Sequence, residues 1–159
     1  MDDVLKWIIL QPLAVVRNAR TAPEDDHWGG VESAVELLPE LPDEALDGIE
    51  QFSHVEIFYF FHQVPAAAVV TGARHPRNNP QWPEVGILAQ RGKNRPNRIG
   101  ATIVELVRRE RRVLYVRGLD AIDGTPILDV KPVMREFLPQ GPVQQPSWVE
   151  ELMRNYWQT

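Results

Sequence analysis

Proline stands at 14 of the 159 positions. That is about 9% of the chain against a usual value near 5%. A proline inside a helix removes a backbone donor and clashes with the preceding turn, so this density argues against a helical bundle. Between the prolines lie short apolar stretches of strand character. Residues 7–10 and 13–16 read as two short strands split by Pro12, and residues 31–38 alternate apolar with acidic side chains, as a half-buried strand does. Residues 54–61 (HVEIFYFF) form the strongest strand pattern, rich in aromatic and β-branched residues, with residues 66–70 extending or following it. Residues 85–90 form another short strand, and residues 99–107 and 112–116 the arms of a hairpin turning near 109–111. A turn is expected around Asp123-Gly124 and a strand over 127–130, ended by Pro132. A single helical turn fits 44–49. A terminal helix is expected after Pro146, with Ser147 and Glu150 spaced as a capping box and Trp148, Leu152 and Tyr156 on one face. Many short strands with one good helix predict a mostly β domain, in which a small barrel or a strongly curved sheet would remove exposed edges.

Length and composition limit the chemistry. A chain of 159 residues builds one domain with a real core. The count of cysteines is 0, which excludes disulfides, thiolate metal cages and a cysteine nucleophile. The apolar runs are far shorter than the roughly 20 residues of a membrane span. The start, Met1-Asp2-Asp3, has no signal-peptide pattern, so a cytoplasmic protein is expected. The net charge of −5 is unevenly spread: residues 74–112 hold 10 basic and 3 acidic side chains. Such a segment either binds phosphates or pairs with the acidic remainder, within one chain or across a dimer.

No phosphate loop, dinucleotide fingerprint, zinc-protease helix or nucleophile elbow is present, and no two of the four histidines stand at i and i+4, so no metal is expected. Two segments carry candidate chemistry. Residues 91–98 (RGKNRPNR) place Arg91, Lys93, Arg95 and Arg98 in one loop, suited to phosphate or carboxylate recognition or to a solvated hairpin. Residues 118–132 (GLDAIDGTPILDVKP) place Asp120, Asp123 and Asp129 around a tight turn, able to accept bonds from a ribose, an amine or an adenine amino group, or to cap turns. Trp28, beside Gly29-Gly30, offers a ring for a cation or for the core.

Phe52-Ser53-His54 with the aromatic strand and His62-Gln63, then residues 85–91, Arg95-Pro96-Asn97 with Ile99-Gly100, Val104-Glu105-Leu106 and the long block 117–132 occur in an order that resembles the TsaA-like (YaeB-like, TrmO) family, across about residues 12–135 of a single 1–159 domain. The resemblance implies a single-sheet β-barrel, a homodimer and S-adenosylmethionine as cofactor. It also implies N6-methylation of threonylcarbamoyl-adenosine beside the anticodon of tRNA. By the same resemblance the cofactor site draws on Trp28, Gly29, Gly30, Val31, His62, Gln63, Arg91, Ile99, Thr102, Leu119, Asp120, Ala121, Ile122, Asp123, Gly124 and Thr125. Substrate contacts fall to Lys93, Arg95, Asn97 and Lys131, and Asp123 and Lys131 are the candidates for the chemistry itself, Asp123 as acceptor of the N6 proton. The chain differs from the family pattern at Gln90-Arg91-Gly92, Arg98 and Val133, and only residues 146–159 stand where longer members carry a C-terminal domain. Two alternatives follow from those differences: a methyltransferase for another small molecule, or a cofactor-binding regulatory dimer without turnover.

Overall fold

The computed structural model describes residues 7–159. Strands β1 (Ala14–Arg17), β2 (Glu32–Leu37), β3 (His54–Phe60), β6 (Ile99–Glu110), β7 (Val113–Arg117) and β8 (Pro126–Pro132) close into one antiparallel barrel in the order β1-β2-β7-β6-β3-β8. Two further strands, β4 (Ala73–Arg74) and β5 (Val85–Gly86), form a separate ribbon beside it. Helix α1 (Ser147–Met153) comes last.

Period-two alternation fills the barrel. Val55, Ile57 and Tyr59 of β3 point inward, as do Val104 of β6, Leu114 and Val116 of β7, Val16 of β1, Val35 of β2 and Ile127 of β8. The ring closes where Ala14 of β1 pairs with Ile127 of β8. Tyr59 is the largest of these inward side chains, and Gly100 directly opposite it makes room: a Cβ at Gly100 would overlap the Tyr59 ring.

Several sequence expectations shift. Residues 7–10 form no strand, and Trp7, Ile8, Ile9 and Leu10 are exposed. The reason is topological: β1 already lies between β2 and β8, so the closed ring leaves this stretch no edge to join. Residues 85–90 pair only over Val85–Gly86 before turning into a short 3-10 segment at Ile87–Ala89. Residues 66–70 likewise hold a 3-10 turn at Ala66–Ala68, and the helical turn expected at 44–49 is two, Asp43–Leu46 and Ile49–Gln51. The β6–β7 hairpin turns later than expected, at residues 111–112. Helix α1 forms, but its N-cap is Pro146 with no side-chain cap bond, so the capping box is not made.

Part of the basic surplus pairs within the chain. Arg109 reaches Asp47 at 3.0 Å, and Arg112 holds Asp43 at 2.5 Å and the Leu38 and Leu41 carbonyls at 2.7 Å each. These bonds fasten the 38–47 segment to the hairpin end of the barrel. At the other end, Arg77 pairs with Asp26 at 2.9 Å and ties the 72–84 loop to the 21–30 loop.

Candidate functional site

The end of the barrel where β3 finishes and β6 begins opens into a cavity of about 1090 Å³. Tyr59, Gly100 and Thr102 form its floor, and Ala121, Ile122 and Thr125 of the β7–β8 turn form one wall. His62 and Gln63 follow β3 onto the rim. Gln90, Arg91, Gly92 and Lys93 come from the basic loop, Arg74 and Arg77 from the neighbouring loop, and Trp28 from the 21–30 loop. Trp148, Leu152 and Tyr156 cover the opposite side. The apolar stripe of α1 thus faces this cavity.

Asp120 is the polar centre. Its Oδ1 accepts bonds from the Tyr59 hydroxyl at 2.9 Å and from the Thr102 hydroxyl, and its Oδ2 accepts one from the Tyr156 hydroxyl. The Tyr59 hydroxyl also reaches the Asp120 carbonyl at 3.2 Å. Burial pushes the Tyr59 phenol well above the ordinary tyrosine range, and the Asp120 charge beside it pushes the same way. Tyr156 is raised for the same two reasons, burial first. Both therefore remain hydrogen-bond donors at neutral pH.

Local folding explains why Asp120 faces inward and Asp123 does not. Asn18 donates to the Ala121 carbonyl at 2.8 Å and to Ser33 at 2.9 Å, and its backbone N–H takes Asp123 Oδ1 at 3.2 Å. The Asp123 N–H donates to the Arg20 carbonyl at 2.7 Å, and the Gly124 N–H to Val16 at 2.8 Å. These bonds draw Asp123 and Gly124 onto the β1 side, away from the cavity lining.

The residues anticipated from sequence divide accordingly. Trp28, His62, Gln63, Arg91, Thr102, Asp120, Ala121, Ile122 and Thr125 meet at the cavity, with Lys93 from the substrate set. Leu119 is wholly buried in the barrel core. Arg95 and Ile99 line a smaller hollow of about 240 Å³ next door, shared with Arg91. Lys131 sits on β8 and pairs with Asp129 at 3.4 Å; neither it nor Asp123, Gly124, Asn97, Gly29, Gly30 or Val31 lines the main cavity. Trp28 meets both of its expected roles: it is buried, and the Arg20 guanidinium stacks over its ring at 4.0 Å. The arginines of the basic loop bind backbone carbonyls: Arg91 that of Ala101 at 2.5 Å, Arg95 that of Gln90 at 2.7 Å and Arg98 that of Val64 at 2.6 Å. They shape the loop and hold it against the rim. Among the described residues no cluster of histidine and carboxylate side chains could hold a metal.

Sequence reasoning missed Tyr59, Arg74, Arg77 and Asn18. Tyr59 reads only as the inward residue of an aromatic strand; its hydroxyl is the one signal that a core position faced something polar.

Residues 16–137 match the family model for the tRNA-methyltransferase O N-terminal domain. The chain belongs to this family. A relative from Pyrococcus abyssi, named a probable S-adenosyl-L-methionine-binding protein, is 34% identical over 136 residues, which cover 82% of this chain and 70% of that one. The human tRNA (adenine(37)-N6)-methyltransferase is 37% identical over 105 residues, 66% of this chain and 23% of that one. The crystal structure of TrmO from Pseudomonas aeruginosa superposes with a TM-score of 0.70 at 28% identity, covering 88% of this chain and 62% of that one. The match to the family spans the barrel from Val16 onward, and the cavity lies inside the matched segment except for the side supplied by Gln145, α1 and the residues after it.

Proposed function

We propose that this chain is an S-adenosylmethionine-dependent methyltransferase that acts on tRNA, methylating N6 of threonylcarbamoyl-adenosine beside the anticodon. The observation that carries the reading is the Asp120 cavity within a tRNA-methyltransferase O domain. The donor set fits the cofactor. A carboxylate held by hydroxyl groups suits a ribose or an amine, and the apolar faces of Phe61, Ile87 and Ile122 suit an adenine ring. The volume, about 1090 Å³, is ample for a nucleoside-sized ligand.

Bound there, the cofactor supplies an electrophilic methyl group on a sulfonium. The protein's part is alignment: Tyr59 and Thr102 fix Asp120, and the floor formed by Gly100 and Tyr59 sets the depth of the pocket. Arg74, Arg91 and Lys93 on the rim give the anticodon-loop phosphates a cationic edge, and an already single-stranded loop needs no base flipping. The N6–H of a ureido-type nitrogen is more acidic than that of a plain amine, so its proton passes to water at the mouth without a strong base. Asp123 serves as a support by bracing the turn that presents Asp120.

A homodimer is part of the proposal. Leu88 and Ile103 are exposed at the cavity mouth, where a second copy covers them and narrows the opening. We place the protein with its tRNA in the cytoplasm; among the described residues no helix is long and apolar enough to cross a membrane. The test is calorimetry with S-adenosylmethionine, then labelled-methyl transfer to bulk tRNA from cells lacking the protein. Saturable binding with transfer to tRNA is expected. Binding without transfer to any tRNA refutes the substrate, and absence of binding refutes the cofactor.

A further inference from the structure

The residues that follow α1 engage the cavity as a ligand would. Beyond the helix the chain turns, and the Asn155 carbonyl accepts a bond from the His27 N–H at 3.1 Å while the Tyr156 carbonyl accepts one from the Trp28 N–H at 2.8 Å. The Trp157 carbonyl lies over Gly29, so close that any Cβ there would overlap it. The Tyr156 hydroxyl takes the second oxygen of Asp120. Outside the cavity, Trp82 Nε1 donates to Glu151 at 2.9 Å.

The hydrogen bonds that hold the segment are few, and its apolar side chains are only half-buried over the cavity. Helix α1 has seven residues, none of them buried, and it lacks a side-chain cap. The stretch that leads to it, residues 138–146, is exposed and has no regular structure. A segment so lightly packed opens at low free-energy cost relative to the barrel. What it occupies is the Asp120 carboxylate and the backbone of the 27–30 loop.

We infer that residues 147–159 are a displaceable latch, an internal occupant that competes with the nucleoside-type cofactor for Asp120. The inference rests on the cofactor reading above. The latch sets the fraction of molecules open to ligand, and apparent affinity scales with that fraction. Removing the Tyr156 hydroxyl removes one bond to a carboxylate from the closed state only, so the open fraction rises.

The experiment uses the full chain in three forms: unaltered, Tyr156→Phe and Glu151→Ala, the last a surface change that frees Trp82. Calorimetry with S-adenosylmethionine is expected to give an apparent Kd about tenfold lower for Tyr156→Phe. A smaller shift in the same direction is expected for Glu151→Ala. Hydrogen exchange of the unaltered chain supplies the second readout: adding cofactor speeds exchange in residues 147–159, because the ligand expels them. Equal affinity in all three forms overturns the latch. So does slower exchange in 147–159 together with weaker binding by Tyr156→Phe, which makes the segment a wall of the pocket. No detectable binding by any form overturns the cofactor reading itself, and the latch falls with it.

Discussion

Replacing Tyr59 by phenylalanine deletes one oxygen and keeps the ring against Gly100. The deleted hydroxyl donates to Asp120 Oδ1 at 2.9 Å. A hydrogen bond to a charged group contributes about 1.5–3 kcal/mol. Thr102 still holds the same oxygen, so the lower figure applies, about 1.5 kcal/mol. For a domain of this size that lowers Tm by about 3–6 °C. The pH dependence adds an independent check. Burial and the Asp120 charge raise the Tyr59 phenol well above its ordinary range, whereas in the unfolded chain it ionises near pH 10. Above about pH 10 the unfolded chain therefore releases a proton that the folded chain keeps, and stability falls as pH rises. Each such tyrosine contributes a slope approaching 1.4 kcal/mol per pH unit, roughly. Tyr59→Phe therefore makes the alkaline slope shallower. Urea titrations from pH 7 to 11 measure both effects. An unchanged midpoint at pH 7 with an unchanged slope above pH 10 refutes the arrangement around Asp120.

Other perturbations reach separate parts of the molecule. Gly100→Ala forces the Tyr59 ring out of its slot and costs about 1–3 kcal/mol in the same titration, as overpacking does. Asp120→Asn keeps the size of the side chain but removes its charge; calorimetry is expected to show cofactor affinity reduced about tenfold or more while the circular dichroism of the barrel stays the same. Arg112→Ala frees the 38–47 segment, lowers stability by about 1 kcal/mol and leaves cofactor affinity unaltered, since Arg112 is remote from the cavity.

The strands that alternate cleanly are readable from the chain itself. β3 carries three inward and four outward or partly covered positions in strict alternation, and β7 repeats the pattern with Leu114 and Val116. The closed topology made Trp7, Ile8, Ile9 and Leu10 misleading: apolar content marks strand propensity, but a strand also needs a vacant neighbour, and the ring offers none. The cavity was legible as a gathering of the 91–98 and 118–125 segments, because Arg91, Lys93 and Asp120 to Ile122 do meet. The choice between Asp120 and Asp123 was not. They stand three residues apart in a tight turn, and which one faces inward depends on Asn18 and Arg20, about a hundred residues earlier. The polar duty of Tyr59 and Tyr156 was also hidden, since each fits an apolar stripe and shows its role only through Asp120, which is distant in sequence.

Strand β6 runs from the cavity floor at Gly100 and Thr102 to the Arg109 and Arg112 clamp, a reach of about 30 Å. The two ends respond to different solvent conditions. Added salt screens the exposed ion pairs at the hairpin end while leaving the sheltered hydroxyl contacts of Asp120 nearly untouched. Ionic strength therefore loosens the distal pole without disturbing the hydroxyl contacts of Asp120. The fastening that holds the far rim shut is built without any of the loops around the mouth.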